Sequence, residues 1–219
     1  KTYEMKHTTD NLYYEKYFNN MPEYRSNWSL VRWIFYKRLH VTVEYLRELN
    51  PKIIVDLGCG EGKLIKEINN EMRNLVEKYA VDLNQDVIKL NGNIKNCLFS
   101  CQNITNTDFE DNMFDAVVCL DTLEHIEDIQ SAFNEIGRIL KTKSYLITSS
   151  PSETVIYKLL RFILKGTFSD SSGPAAGKHY HDAYLIEEFA KIGFDLIKSR
   201  KIPLPIPFDL FHVNLYMKK

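Results

Sequence analysis

The sequence predicts an α/β fold built on a doubly wound sheet of seven strands, mostly parallel with a final antiparallel strand. From residue 52 onward, short β-branched runs alternate with amphipathic helical segments, the order that strand–helix–strand units give to a parallel sheet. A glycine-rich turn directly follows the first of these strands. Pro203, Pro205 and Pro207 prevent a helix between the last two strands, because proline lacks the amide hydrogen that a helix needs. The chain is therefore expected to close its sheet with a hairpin.

Residues 1–50 are expected to form a helical cap before the sheet, ending at Pro51. The apolar residues of this cap recur at helical spacing: Trp28, Val31, Ile34, Phe35 and Leu39. Strands are then predicted at Lys52–Leu57, Lys78–Leu83, Cys97–Cys101, Phe114–Leu120, Tyr145–Ser149, Phe194–Ile202 and Phe211–Met217. Helices are predicted at Lys63–Leu75, Asn84–Leu90, Ile126–Leu140 and Asp182–Ile192.

Residues 152–182 interrupt the alternation and are expected to form an inserted helix and loop, before a last helix and strand hairpin over 183–219. The helical run Val155–Lys165 is apolar over most of its surface. Its basic residues form one stripe, at Lys158, Arg161 and Lys165. A basic amphipathic helix can lie on a membrane surface, so a peripheral membrane contact is one interpretation. A lid over the domain's own site and a dimer contact are the alternatives, and the oligomeric state is left open.

Composition places the chain among ordinary globular proteins. Of its 219 residues, 44% are hydrophobic and 26% are charged, which suits one domain with a sizeable core. The formal net charge of −1 gives no overall attraction to nucleic acid. The four cysteines have no paired metal-ligand spacing, so free thiols in a reducing, cytoplasmic compartment are expected. No run of about 18 uncharged apolar residues is present, which argues against a membrane span.

The strongest chemical signal is the turn Asp56-Leu57-Gly58-Cys59-Gly60-Glu61-Gly62 between the first strand and its helix. Glycines at alternate positions let the backbone turn tightly and approach a ligand. The helix that follows points free amide groups and a positive dipole end at the site, as an anionic group requires. Asp82, about 20 residues further on, ends the second strand, where its carboxylate can accept hydrogen bonds from ribose hydroxyls. A purely structural glycine turn is the alternative.

The glycine spacing differs from two better-known nucleotide motifs. A dinucleotide-binding turn has two residues between its second and third glycines, and a P-loop ends in lysine and a hydroxyl residue. The order found here, an acidic residue followed by glycines at alternate positions, resembles the first motif of the class I methyltransferases, which are Rossmann-like. The resemblance extends over roughly residues 50–150. It includes Asp82 as the ribose-binding acid, Asn103 and Ile104 as the adenine-binding pair, Phe114–Val117 in the fourth strand and Leu120–Ile126 after it.

This resemblance implies S-adenosyl-L-methionine as the cofactor, bound across the carboxyl ends of the first strands within a core over 51–150. A ligand is expected there on topological grounds as well. The implied cofactor-binding residues are Asp56, Gly58, Cys59, Gly60, Gly62, Asp82, Leu83, Asn103, Ile104, Leu120, Asp121 and Leu123.

Histidines near the expected acceptor site are the candidate catalytic bases. They are His125, His179 and His181, and a capping or loop role is the alternative for each. Some members of the resembled subgroup bind a divalent metal after the fourth strand. Asp121, Glu124 and His125 keep part of that ligand set, but Ile129 stands where a further histidine is expected, so no metal is predicted.

The residues and the resemblance together predict a methyltransferase that acts on a small-molecule acceptor. An oxygen of a lipid-, quinone- or glycan-like compound is the expected target. RNA 2′-O-methylation with a divalent metal is one alternative, weakened by the neutral charge balance and the lack of a basic, aromatic platform. A cofactor-binding or interaction domain without catalysis is the other alternative, since fold alone does not establish function.

Overall fold

A computed structural model describes residues 29–72, 77–152, 182–203 and 209–219. The helices in this part of the chain are α1 (Ser29–Leu49), α2 (Lys63–Glu71), α3 (Gln85–Asn91), α4 (Ile129–Ile139) and α5 (Asp182–Lys191). The strands are β1 (Ile53–Leu57), β2 (Glu77–Asp82), β3 (Leu98–Cys101), β4 (Phe114–Leu120), β5 (Leu140–Pro151), β6 (Phe194–Pro203) and β7 (Asp209–Lys218). A short 3-10 turn covers Leu123–His125.

The strands form one seven-stranded sheet in the order β3-β2-β1-β4-β5-β7-β6. The pairs β1–β2, β1–β4, β2–β3 and β4–β5 are parallel. Strand β7 is antiparallel to both of its neighbours, β5 and β6. This arrangement confirms the predicted fold class, and it places the last strand of the chain inside the sheet rather than at its edge.

Several predicted boundaries were wrong. The fifth strand is longer than Tyr145–Ser149 and includes Pro151, which was expected to end it but lies opposite Phe211 of β7. The helix after β4 begins at Ile129, because the Asp128 side chain caps it by accepting a hydrogen bond from the Ser131 amide. The helix predicted over Lys63–Leu75 ends at Glu71.

Helices cover both faces of the sheet. Side chains alternate between the faces along a strand, so Ile54 belongs to one core cluster and Val55 to another, each fully buried. The first cluster packs α1 and α2 against the sheet, and the second packs α4 and α5. Each large apolar side chain buried in this way contributes about 1.5–3 kcal/mol. The doubly wound arrangement therefore rests on strands that are buried on both faces.

Helix α1 carries out the expected packing role. Ile34 and Leu39 are buried in the first cluster and Phe35 is packed against it, as their spacing predicted. The side chains of Trp28 and Val31 lie outside the described residues. In the described part of the chain, no helix is both long and apolar enough to cross a bilayer. The basic helix predicted at Val155–Lys165 also lies outside the described residues, and its membrane contact stays a prediction.

Candidate cofactor site

The candidate site lies at the carboxyl ends of β1, β2 and β4. Strand β1 lies between the other two, with Asp56 opposite Ala80 of β2 and Val118 of β4. The chain runs outward from β1 through β2 to β3 on one side, and returns to β4 on the other. Ligands of open α/β sheets bind where the strand order reverses in this way. The polar residues that follow these strands therefore meet at one edge of the sheet.

The glycine turn adopts backbone conformations that other residues rarely do. Gly58, Gly60 and Gly62 have φ values of 78°, 48° and 65°, in the left-handed region that glycine populates without penalty. The Gly58 and Cys59 amides both donate hydrogen bonds to the Val81 carbonyl oxygen, at 2.8 and 2.9 Å. The turn is thus fixed to the end of β2.

A side chain at Gly58 would collide with the loop after β4. A Cβ atom built there would lie 2.3 Å from the Thr122 Oγ1 atom. The turn and the loop after β4 are consequently in direct contact, and glycine is required at this position for two reasons, its φ angle and its lack of a side chain.

Asp82 holds the centre of the glycine turn. One of its carboxylate oxygens accepts a hydrogen bond from the Gly60 amide and the other from the Asn84 amide, both at 2.9 Å. From the opposite side, the Asn91 side-chain amide donates to the Gly60 carbonyl oxygen at 2.6 Å. Each carboxylate oxygen has two lone pairs, so Asp82 retains the capacity to accept hydrogen bonds from a ligand. Sequence reasoning missed Asn91, whose role depends on how α3 packs.

Asp56 is a buried carboxyl group beside Asp82. Asp56 is only 4% exposed. Burial, with a further contribution from the negative charge of Asp82, raises the pKa of Asp56 to about 7. Burial also raises the pKa of Asp82, although hydrogen bonds from backbone amides oppose this shift. Two carboxyl groups in such an environment favour a cationic ligand group beside them.

The residues expected to contact an adenine ring surround the ends of β2 and β3. Leu83 is 41% exposed, which is unusual for leucine and leaves an apolar surface beside Asp82. Ile104 is buried, and the exposed Asn103 uses its side-chain oxygen to accept a hydrogen bond from the Thr105 amide at 3.0 Å. The side-chain amide nitrogen of Asn103 can still donate to a ring nitrogen. Cys59 is buried within the turn.

The loop after β4 is held by Arg38, which sequence reasoning missed, through Asp121, which was expected at the cofactor. Asp121 has a φ of 49°, and its carboxylate accepts a hydrogen bond from the Ser149 hydroxyl at 2.6 Å. The same carboxylate forms an ion pair with Arg38 of α1. The Arg38 guanidinium lies over the rings of Phe35 and Phe211, 4.4 and 4.3 Å from their centroids. No local sequence signal could reveal this pair, because its members are more than 80 residues apart.

The remaining predicted residues of this loop have different environments. Leu120 is partly buried against the first core cluster, and Leu123 is buried in the second at 2% exposure. His125 is half-buried at the end of the 3-10 turn, where its amide donates to the Thr122 carbonyl oxygen at 3.0 Å. His179 and His181 lie outside the described residues. Among the residues that are described, no group of three or more side chains is arranged to hold a metal ion.

A second polar cluster at the end of β5 was also missed. His212 of β7 contacts two carboxylates, with Nδ1 2.6 Å from Asp182 and Nε2 2.7 Å from Asp209. These two acidic neighbours raise the pKa of His212 against the opposing effect of burial. Asp182 also accepts hydrogen bonds from Ser150 at 2.9 Å and Asn214 at 2.6 Å, and its pKa is lowered by these partners although burial alone would raise it. The cluster joins the start of α5 to the sheet.

Taken together, the sheet order, the glycine turn and Asp82 define a Rossmann-like nucleotide-cofactor fold of the class I type. Comparison with known proteins agrees with this class. Residues 55–148 match a protein-family model described as a methyltransferase domain. This match supports a methyltransferase core of the class I type that uses S-adenosyl-L-methionine.

Relatives of known sequence cover different parts of the chain. An uncharacterised protein of Methanocaldococcus jannaschii is 27% identical over 172 residues, which are 77% of this chain and 66% of that protein. A demethylmenaquinone methyltransferase of Bacteroides fragilis is 21% identical over 75% of this chain and 76% of its own length. A ubiquinone biosynthesis O-methyltransferase of Rickettsia bellii is 25% identical over 58% of this chain and 55% of its own length. The chain spans only 25% of a bifunctional biotin biosynthesis protein of Saccharophagus degradans.

Solved structures share the fold over most of the chain. The PH0226 protein of Pyrococcus horikoshii superposes with a TM-score of 0.69 over 93% of this chain and 99% of its own, at 19% identity. The methyltransferase domain of a bacterial Hen1 protein superposes with a TM-score of 0.66 over 84% and 99%, at 17% identity. At such identities the likeness is one of fold.

The geometry of the site fits S-adenosyl-L-methionine. The first backbone amides of α2 would bind the ligand carboxylate, because the Gly58, Cys59 and Gly60 amides of the turn already donate to Val81 and Asp82. Asp82 would accept hydrogen bonds from the ribose hydroxyls, and Leu83 with Asn103 would contact the adenine. A cationic ligand group beside Asp56 would favour the ionised form of this buried carboxyl group, whose pKa burial raises.

Proposed function

We propose that this protein transfers a methyl group from S-adenosyl-L-methionine to an oxygen of a small, lipid-, quinone- or glycan-like acceptor. The observation that carries the proposal is the glycine turn braced by Asp82, which forms a preorganised cofactor cradle. Two relatives act in quinone biosynthesis by their names, which supports a quinone-like acceptor. The likeness to the Hen1 domain is one of fold alone, so it supports no particular acceptor.

The chain's own residues would mainly bind and orient the reactants. The bound cofactor supplies an electrophilic methyl group on a positively charged sulfur. Fixing donor and acceptor in line can contribute about 7–11 kcal/mol toward the barrier. The contact between the glycine turn and the loop after β4 restrains the residues that would hold the cofactor, because Thr122 fills the space beside Gly58.

His125 is the described candidate for removing a proton from an acceptor hydroxyl. It is half-buried and follows β4 at the same sheet edge as Asp56 and Asp82. A base in reach of that proton is worth roughly 10²–10⁴-fold in rate. His179 and His181 are proposed for the same acceptor region from their place in the sequence.

Binding of the cofactor tests the core of this proposal. Calorimetry with S-adenosyl-L-methionine should show saturable binding by the wild-type protein, and Asp82→Asn should weaken it about 10–100-fold, the value of hydrogen bonds to a charged group. The matched control is Asp86→Asn, because the side chain of Asp86 is 83% exposed and its ion pair is with Lys89 on the same helix. A folded wild-type protein that does not bind the cofactor would refute the proposal.

The acceptor class needs its own experiment. Transfer of a labelled methyl group should be measured with a panel of phenolic quinone precursors, hydroxylated lipids and glycosides. His125→Gln should lower kcat on an oxygen acceptor while cofactor affinity stays unchanged. Labelling only of carbon or nitrogen atoms would contradict the oxygen-directed proposal while leaving the cofactor assignment intact.

Contact with a membrane surface through Val155–Lys165 remains part of the proposal for an apolar acceptor. Co-sedimentation with anionic lipid vesicles should detect it, and neutral replacement of Lys158 and Arg161 should abolish it. Equal sedimentation of the wild-type and neutral proteins would exclude this contact.

A further inference from the structure

The ion pair between Arg38 and Asp121 places a buried cation next to the candidate cofactor site, formed by the glycine turn and Asp82. The Arg38 side chain is 3% exposed and the Asp121 side chain 28%. Arg38 is enclosed by the rings of Phe35 and Phe211. Removing such groups from water costs free energy, so a buried ion pair is weak evidence of a stabilising role. A buried ion pair at this position therefore points to a role in ligand binding rather than in stability.

Asp121 lies close to the glycine turn through its neighbour in the chain. Thr122 occupies the position where a Gly58 side chain would stand, and the Asp121 amide donates to the Ser149 carbonyl oxygen at 3.2 Å. The first contact fixes the loop after β4 against the turn, and the second fixes it to β5. The charge on Asp121 is thus held beside the residues that would surround the cofactor.

Three carboxyl groups, Asp56, Asp82 and Asp121, follow neighbouring strands at this edge of the sheet. Arg38 pairs with Asp121. Glu61 in the turn pairs with Lys63, at 3.1 Å. Asp56 and Asp82 instead interact with each other as like charges, and burial raises the pKa of both. Arg38 consequently determines whether the negative charge of Asp121 adds to that of Asp56 and Asp82 at this edge of the sheet.

We propose that Arg38 is a specificity-determining residue that sets how strongly the site prefers the charged methyl donor over the uncharged product. The inference rests on the proposed function. S-adenosyl-L-methionine carries a positive sulfur, and S-adenosylhomocysteine carries a neutral thioether in the same place. An uncompensated carboxylate nearby stabilises the donor alone. By cancelling the charge of Asp121, Arg38 limits that preference.

The test compares four proteins: wild type, Arg38→Met, Asp121→Asn and the double variant. Calorimetry gives the Kd of S-adenosyl-L-methionine and of S-adenosylhomocysteine for each, and the measured quantity is the product-to-donor Kd ratio. Arg38→Met should raise the ratio and Asp121→Asn should lower it. Each change should be about three- to fourfold, the size expected for one unit charge whose effect is screened by nearby solvent. The double variant should restore the wild-type ratio.

Two further variants separate charge from structure. Arg38→Lys keeps the charge and should keep the ratio, even where the loss of packing weakens both ligands. Arg47→Met removes an exposed cation of the same helix that pairs with Glu71, and it should leave the ratio unchanged. Should Arg38→Met fail to fold, Asp121→Asn and Arg38→Lys carry the test.

A purely structural pair predicts that both Kd values move together and the ratio stays constant. An unchanged ratio in Asp121→Asn, or a shift in the same direction in both charge variants, would overturn the inference. Failure of the proposed function is distinguishable, because the wild-type protein would then bind neither ligand.

Discussion

Replacement of Asp56 by asparagine should stabilise the free protein, and more so as the pH rises. Burial raises the pKa of this carboxyl group to about 7 in the folded protein, whereas an unfolded chain has a value of about 3.9. As the pH increases from about 4 to 7, the unfolded state ionises first, so the wild-type protein loses stability. Three pKa units correspond to about 4 kcal/mol. Asparagine does not ionise and avoids this loss.

The pH dependence is what identifies the cause. The stability gained by Asp56→Asn should grow from pH 5 to pH 8 by about 2–3 kcal/mol, the part of the linkage that lies in this interval. Urea unfolding followed by circular dichroism at several pH values measures it directly. Equal gains at pH 5 and pH 8 would refute the idea that Asp56 is held partly protonated by burial.

Asp115→Asn is a matched control on the neighbouring strand β4. Hydrogen bonds from Lys141 and from the Lys52 and Ile53 amides lower the pKa of Asp115, against the effect of burial. Its contribution is present above the pKa of the unfolded chain and is lost only as the pH falls. The difference between this variant and the wild type should therefore stay constant from pH 5 to pH 8.

Three further outcomes are expected. Gly58→Ala should cost at least about 2 kcal/mol and abolish cofactor binding in calorimetry, because its φ is 78° and its Cβ would lie 2.3 Å from Thr122; wild-type binding would contradict this. Gly137→Ala, in an open position of α4, should instead raise the free energy of unfolding by about 0.5–1 kcal/mol, and a loss there would show that the helix end is strained. His212→Gln should lower the free energy of unfolding by about 1.5–3 kcal/mol below pH 6.5. This loss should shrink as the pH rises through the raised pKa of His212. Urea unfolding measures it, and a loss that does not vary with pH would exclude a charged His212.

The sheet could be predicted because its determinants are local. Runs such as residues 116–120 are apolar and lie between turn residues, so strand and burial are both evident from the sequence. The glycine turn and Asp82 are separated by one helix and one strand, which fixes their relative positions once the fold is known. The end of β5 was harder to predict, because pairing with β7 extends this strand through Pro151.

The two missed clusters depend on contacts between distant elements. Arg38 looked like one charged residue among many on α1, and only packing against Phe211 shows that its charge is buried. His212 follows an apolar run and gave no signal of its own, because its partners Asp182 and Asp209 come from α5 and the start of β7. Helical periodicity and motif spacing contain no information about such pairs.

The position of β7 has a consequence for biosynthesis. Strand β5 pairs with β4 on one side and with β7 on the other, and β7 leaves the ribosome well after β5. Until residues 209–218 have emerged, the open side of β5 offers unpaired backbone groups to any other strand. A nascent chain halted before residue 209 would expose the unpaired edge of β5, so chaperone engagement should decrease once β7 has emerged.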